Sequence, residues 1–221
     1  MNFKILFVIV FSITIGSVAN SQTNLGEKLQ GYIITNSGEK IEGFIKERGI
    51  LKNQNKIEFY KNLNESSFTK YKPNDIWGFN ILGKNYQSIP VKGFSKKKKA
   101  FLEITVEGKI TVYVYYYTAS SNETGFGGSK NEITVAKKGN TSVILDLDGT
   151  EIVSEYIAIK NETDRLELSA PKTILSFKKV MSKYLSDYAQ LSEKIRNKAK
   201  GYRIQNAFSI IEEYNNHFSE N

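Results

Sequence analysis

From residue 29 to about residue 160, apolar and polar side chains alternate in short runs, each broken by Gly, Asn, Asp or Ser. Alternation with a period of two puts one side of each run against a core and the other toward water, the mark of β-strands. Leu29 to Thr35 alternates, and Asn36-Ser37-Gly38 turns the chain. Ile41, Gly43 and Ile45 share one face of the next strand, and Ile57 and Phe59 form a further inward pair. Trp77, Phe79 and Ile81 alternate ahead of a turn at Gly83-Lys84-Asn85. Glu103–Glu107 and Lys109–Thr118 flank Gly108 as a hairpin, and Ser142–Leu147 pairs with Thr150–Lys160 around Asp148-Gly149. Asp-Gly accepts positive φ at both central positions of a tight hairpin turn. About ten short strands at this spacing predict an antiparallel sandwich or a partly closed barrel. No helical period that could supply parallel crossovers precedes residue 171.

After residue 171 the period changes to three and four. Ile174, Phe177, Met181, Tyr184, Tyr188, Leu191 and Ile195 form one stripe, which predicts a long helix with Pro171 in its first turn. Lys194, Arg196, Lys198 and Lys200 crowd its end, and Gly201 is placed to stop it. A second helix over about 203–216 carries Ile204, Ala207, Phe208, Ile211 and Tyr214. The first stripe has heptad spacing, so a coiled-coil seam competes with docking on the chain's own core. Val180 and Leu185 widen it beyond two seam positions and favour docking. The fold class is therefore α+β: antiparallel strands over residues 23–165, then an amphipathic helical pair over 166–221.

Residues 1–22 read as a secretory signal. Lys4 is a short basic region and Ile5–Ile15 is apolar except for Ser12 and Thr14, too short to span a bilayer. Cleavage after Ala19 or Ser21 satisfies the small-residue rule. The signal implies export to the periplasm, the outer surface or the medium, and no transmembrane segment is expected in the mature chain.

Composition then removes much chemistry. The 221 residues include no cysteine and one histidine, His217. Thiol nucleophiles, disulfides, zinc–thiolate sites and iron–sulfur clusters are excluded, and so are multi-histidine metal sites within one chain. No cofactor or metal is expected. Loss of Lys4 with the leader takes one from the net charge of +8 and leaves +7, suited to anionic envelope surfaces.

The stretch Gly31-Tyr-Ile-Ile-Thr-Asn-Ser-Gly-Glu-Lys-Ile-Glu-Gly-Phe-Ile45 follows a signal ending in Ser-Gln and resembles the opening of small exported proteins common in Bacteroidetes. There a Gly-Tyr-Ile strand, a Gly-Asp or Gly-Glu turn and an Ile-x-Gly-x-Ile strand form the first hairpin. Phe101-Leu-Glu-Ile-Thr-Val-Glu-Gly-Lys-Ile-Thr-Val-Tyr113 is similar to that family's Phe-Leu…Gly…Tyr segment, and Ile195-Arg-Asn-Lys198 with Ile211-Glu-Glu-Tyr-Asn215 to its helical tail. These motifs are turns and core positions. The family has no assigned activity, so the resemblance brings no catalytic residue.

Five features carry candidate chemistry. Asp146-Leu-Asp148-Gly-Thr150 matches the nucleophile motif of haloacid-dehalogenase phosphatases, but that chemistry needs a parallel helix-flanked sheet and further acids; a hairpin turn accounts for the residues. Gly125-Phe-Gly-Gly-Ser-Lys130 lacks the spacing of a phosphate loop and reads as a connecting loop. Lys96, Lys97, Lys98 and Lys99 form a basic run, read as a solvated loop that could also touch an anionic surface. Tyr113, Tyr115 and Tyr117 line the face of their strand opposite Val112 and Val114. That face could take a partner or a glycan, and covering by the C-terminal helix is the expectation preferred. Glu103 and Glu107 share a strand face and are candidates for acid–base work. The functional expectation is an exported, non-enzymatic envelope module that binds an envelope protein, a glycan or an anionic surface, not nucleic acid, as a monomer or an oligomer. The alternative is a periplasmic hydrolase using carboxylate or Ser/Lys chemistry on glycan or peptide.

Overall fold

The computed structural model describes residues 25–91, 99–118, 143–145 and 151–219. Eleven strands form: β1 (Lys28–Thr35), β2 (Lys40–Lys46), β3 (Ile57–Tyr60), β4 (Thr69–Tyr71), β5 (Ile76–Ile81), β6 (Lys84–Pro90), β7 (Lys99–Val106), β8 (Ile110–Thr118), β9 (Val143–Leu145), β10 (Glu151–Lys160) and β11 (Asp164–Glu167). A short helix, α1 (Ile50–Asn55), separates β2 from β3. The strands make one antiparallel sheet in the order β4-β3-β2-β1-β5-β6-β7-β8-β10-β11, with β9 pairing the N-terminal end of β10. The order does not close on itself, so the β-layer is one continuous open sheet followed by helices.

The sheet curls strongly. β3 and β8 stand six strand spacings apart in this order, roughly 29 Å if flat. Yet Ile50 and Leu51 of α1, adjoining β3 in the chain, pack against Val114 and Tyr116 of β8 and Ile152 of β10. Glycine in the first hairpin permits the bend. Gly31 and Gly43 face each other across β1 and β2, and a Cβ on Gly43 would lie 2.5 Å from the Phe59 ring and from the Tyr60 carbonyl. The Ile-x-Gly-x-Ile pattern is thus a packing requirement: the missing side chain admits Phe59 to the core of Ile33, Ile45, Ile57, Phe79, Ile81 and Phe101.

Two bulges and one turn shift the expected positions. Ile34 pairs with Gly78 and Thr35 with Ile76, which leaves Trp77 as the extra residue. Ile76 takes the inward position expected for Trp77, and Trp77 is exposed. The turn after β5 is Leu82-Gly83, one residue earlier than expected; both have positive φ (55° and 74°), and Ile81 pairs with Lys84 in a two-residue hairpin. A second bulge lies between Ile104 and Val106, where the Thr105 hydroxyl donates to the Val112 carbonyl (3.1 Å).

The long helix is broken into three: α2 (Pro171–Leu175), α3 (Phe177–Tyr184) and α4 (Ala189–Arg196). Its apolar stripe is correct, since Phe177, Met181, Tyr184, Leu191 and Ile195 are buried; its continuity is not. In an unbroken helix the Tyr188 N–H would bond the Tyr184 carbonyl. Here it bonds Leu185, and the Tyr184 carbonyl takes the ammonium of Lys160, a buried lysine on β10. α3 then folds back on α4, tied by the Ser192 hydroxyl to the Ser182 carbonyl (2.7 Å). Segments of eight residues cannot carry a coiled-coil seam, and the stripe docks intramolecularly. α4 stops before Gly201: Lys198 takes the left-handed conformation (φ 54°), with Lys198 N–H bonded to Ile195 O and Ala199 N–H to Lys194 O. The last helix, α5 (Ala207–Ser219), is entered through a 3₁₀ turn at Ile204–Asn206.

The helices cover the face of β8 and β10 that presents Ile110, Val112 and Ala158, together with Leu168. That is the valine face, opposite the tyrosines. Asn215 of α5 extends the sheet there. Its amide accepts from Ile110 N–H and donates to Ile110 C=O, both at 2.8 Å. At the other end of β8, Gln54 of α1 does the same for Tyr116 (2.9 and 2.8 Å). β7 pairs with β8 only at the intervening positions, up to Glu103↔Val114. Two side-chain amides therefore extend a strand edge that β7 leaves incomplete and partner the peptide groups of Ile110 and Tyr116. No helix among the described residues is long and apolar enough to cross a membrane.

Candidate functional site

The tyrosine strip lies on the sheet face opposite α3–α5. The preferred expectation, covering by the C-terminal helix, is corrected: among the described residues α3–α5 pack on the aliphatic side of β8, against Ile110, Val112 and Ala158. The three tyrosines separate into two roles. Tyr113 is buried among Ile89, Val91, Ala100, Leu102 and Ile157; its hydroxyl donates to Gln87 Oε1 (2.6 Å), and burial raises its pKa. Tyr115 and Tyr117 are half-buried and stacked, with ring centroids 6.1 Å apart and planes 25° apart. Across on β10, Glu155 pairs with Tyr115 in register, and its carboxylate accepts from the Tyr117 hydroxyl (3.3 Å). On the same face, Arg165 of β11 donates to the Pro90 carbonyl (2.7 Å) and pairs with Glu167. Two adjoining aromatic faces beside an exposed carboxylate suit a ligand with C–H surfaces and hydroxyl donors. Of the basic run, Lys99 opens β7, is exposed and pairs with Pro90; Lys96, Lys97 and Lys98 lie outside the described residues.

Glu103 and Glu107 do not share a face. The bulge after Ile104 breaks the alternation, and Val106 rather than Glu107 continues toward the helix core. Glu103 is buried where the sheet curls. It accepts from the hydroxyls of Tyr116 (3.0 Å) and Tyr86 (3.4 Å) and pairs with Lys84 (3.0 Å). Burial first, and the Glu103 charge second, hold both phenols well above the usual tyrosine range. Phenols kept protonated this firmly serve as fixed donors to a carboxylate. General acid–base work near neutrality needs a group that gives up its proton there.

The Asp146–Thr150 motif and the Gly125–Lys130 loop lie outside the described residues. The strands flanking the former, β9 and β10, pair antiparallel (Leu145↔Glu151), whereas the phosphatase motif needs a parallel layer. Among the described residues no three His, Cys, Asp or Glu side chains converge to hold a metal.

Sequence reasoning missed one polar cluster. Asp187, in the break between α3 and α4, accepts from the Tyr214 hydroxyl (2.5 Å) and from the Lys160 ammonium (3.3 Å), and lies 3.8 Å from Lys109. Burial pushes its carboxyl up, but the Tyr214 hydroxyl and Lys160 outweigh that and hold it below the usual carboxylate range. Tyr214 and Tyr184 are raised, chiefly by burial. The legible signal was Lys160 itself, in alternation with Tyr156 and Ala158 on the inward side of β10. Nearby, Glu107, Gly108, Lys109, Asn215 and Phe218 line a shallow hollow of about 150 Å³, with the Lys109 ammonium 3.3 Å over the Phe218 ring.

No family model, curated protein or solved structure matches this chain.

Proposed function

We propose that this chain is an exported cell-envelope module that binds a glycan through the Tyr115–Tyr117–Glu155 strip, and that it belongs with the Bacteroidetes exported proteins its opening hairpin resembles. The stacked tyrosine pair beside an exposed carboxylate, on the face opposite the one that α3–α5 cover, carries the binding reading. Aromatic faces stack on the C–H side of sugar rings, and a carboxylate accepts from their hydroxyls. The pattern of residues 1–22 supports export, and the net charge suits a compartment bounded by anionic polymers.

Retention on immobilised peptidoglycan tests the binding reading. Tyr115→Ala with Tyr117→Ala should weaken retention by about tenfold or more, in keeping with the loss of two ring contacts. Tyr117→Phe, which keeps the ring, should retain most of the binding. Equal retention of the double variant, or no retention of the unaltered protein, refutes it. For export, the N-terminus of the secreted protein should be Asn20 or Gln22, and an intact Met1 refutes it.

A further inference from the structure

Among the described residues six large hydrophobic side chains are strongly exposed, and three of them, Leu25 (50 %), Leu63 (51 %) and Phe68 (42 %), lie toward the β1–β4 end of the sheet. The loop 61–68 between β3 and β4 is pinned there by Lys28, whose ammonium donates to the carbonyls of Leu63 (3.0 Å) and Glu65 (2.7 Å) and sits 4.2 Å over the Tyr60 ring. Phe68 packs on that ring (5.4 Å), and Lys70 lies over Phe68 (5.4 Å). Lys46 is the cross-strand partner of Lys28, and Leu25 enters beside it, next to Gly26, whose N–H bonds Glu47 O. Lys61 and Lys70 are exposed at the margin. Of the nearby acids, Glu65 turns its carboxylate into the loop, onto Lys61 N–H and the Ser67 hydroxyl, and Glu27 is exposed.

We infer that this end of the sheet docks on an anionic lipid surface, with Leu63 and Phe68 entering the headgroup layer and Lys61 and Lys70 facing the phosphates. Apolar tips ringed by lysine stems are the side-chain set that an interface of this kind selects. The loop is already held by two hydrogen bonds from Lys28, so insertion costs little ordering. One observation favours lipid over a protein partner: the exposed Lys61 and Lys70 are complementary to anionic headgroups. The surface is separate from the tyrosine strip, so either reading can fail alone.

The chain has no cysteine, so Ser66→Cys gives a single site for an environment-sensitive fluorophore on the full chain, and Ser209→Cys on α5 gives the reference. The probes are vesicles of phosphatidylcholine with or without phosphatidylglycerol. The expected result is a blue shift at position 66 with the anionic vesicles only, absent at position 209 and abolished by high salt. Lys61→Glu with Lys70→Glu should weaken it by roughly tenfold or more, and Leu63→Ser with Phe68→Ser should remove it. Equal shifts at positions 66 and 209, equal response to both vesicle types, or a shift that grows with protein concentration in the absence of vesicles would overturn the inference, the last by showing that a second copy occupies the patch. Peptidoglycan retention is unaffected by any of these variants if the tyrosine strip acts as proposed.

Discussion

Asn215 makes the sharpest test of how the helices hold the sheet. Replacing it with alanine removes the partner of two buried backbone groups at once, the N–H and C=O of Ile110, a residue with no exposed surface. A buried polar group left without a partner costs about 1–3 kcal/mol. The hollow of about 150 Å³ beside Gly108 and Asn215 admits water to part of the site, so the lower half of the range applies to each group. The expected loss is about 2–4 kcal/mol for the two groups together, a large share of a typical domain's roughly 5–15 kcal/mol. Equilibrium urea unfolding gives the loss, and hydrogen exchange at the Ile110 amide locates it. Asn215→Asp is the complementary probe. Its ionised carboxylate still accepts from Ile110 N–H but opposes Ile110 C=O, so that variant should gain stability relative to wild type as acid protonates it. Gly108 adds a coupling: a Cβ there would sit 2.5 Å from Asn215 Nδ2, so Gly108→Ala should cost less in the Asn215→Ala background. A loss below about 0.5 kcal/mol with the Ile110 amide still protected would refute the strand-completing role.

Two further outcomes are expected. Asp187 has a depressed folded pKa, so its contribution is present above the unfolded carboxylate value of about 3.9 and disappears as pH falls through the folded one. Asp187→Asn should therefore be less stable at pH 7, by about 1–2 kcal/mol since the carboxylate is partly exposed and Lys160 keeps the Tyr184 carbonyl. The gap should close on acidification; chemical denaturation at pH 7 and pH 3 measures it, and a gap independent of pH would refute the linkage. Lys198→Gly relieves a left-handed backbone (φ 54°) at the end of α4 and should stabilise by up to about 1 kcal/mol, read as a rise in Tm; a fall would show that the lysine side chain matters more than its backbone.

Much of the β-layer was legible because strand periodicity is local. Ile33, Ile45, Phe79 and Phe101 are inward for the same reason that their neighbours are polar, and the Asn36-Ser37-Gly38 turn joins β1 to β2 as a hairpin in plain register. Periodicity fails where a strand gains a residue. Trp77 and Glu107 were misplaced because a bulge inverts alternation, and what creates a bulge is the partner strand, not the run itself. The helical stripe was legible residue by residue, yet its breaks were not. The interruption at 185–188 is set by Lys160, more than twenty residues upstream, which takes the carbonyl that the helix would have used.

The sequence alone determined the class of structure, its antiparallel pairing and its apolar faces, because hydrophobic burial acts on the side chains of each segment whatever lies across from them. Tertiary structure alone decided which face of β8 the C-terminal helices cover, how Tyr115 and Tyr117 come to stack on the opposite face, and how Asn215 and Gln54 complete a strand that is not their own. Those choices depend on curvature and on distant polar groups finding partners once water is removed, and neither is written in the period of any one segment.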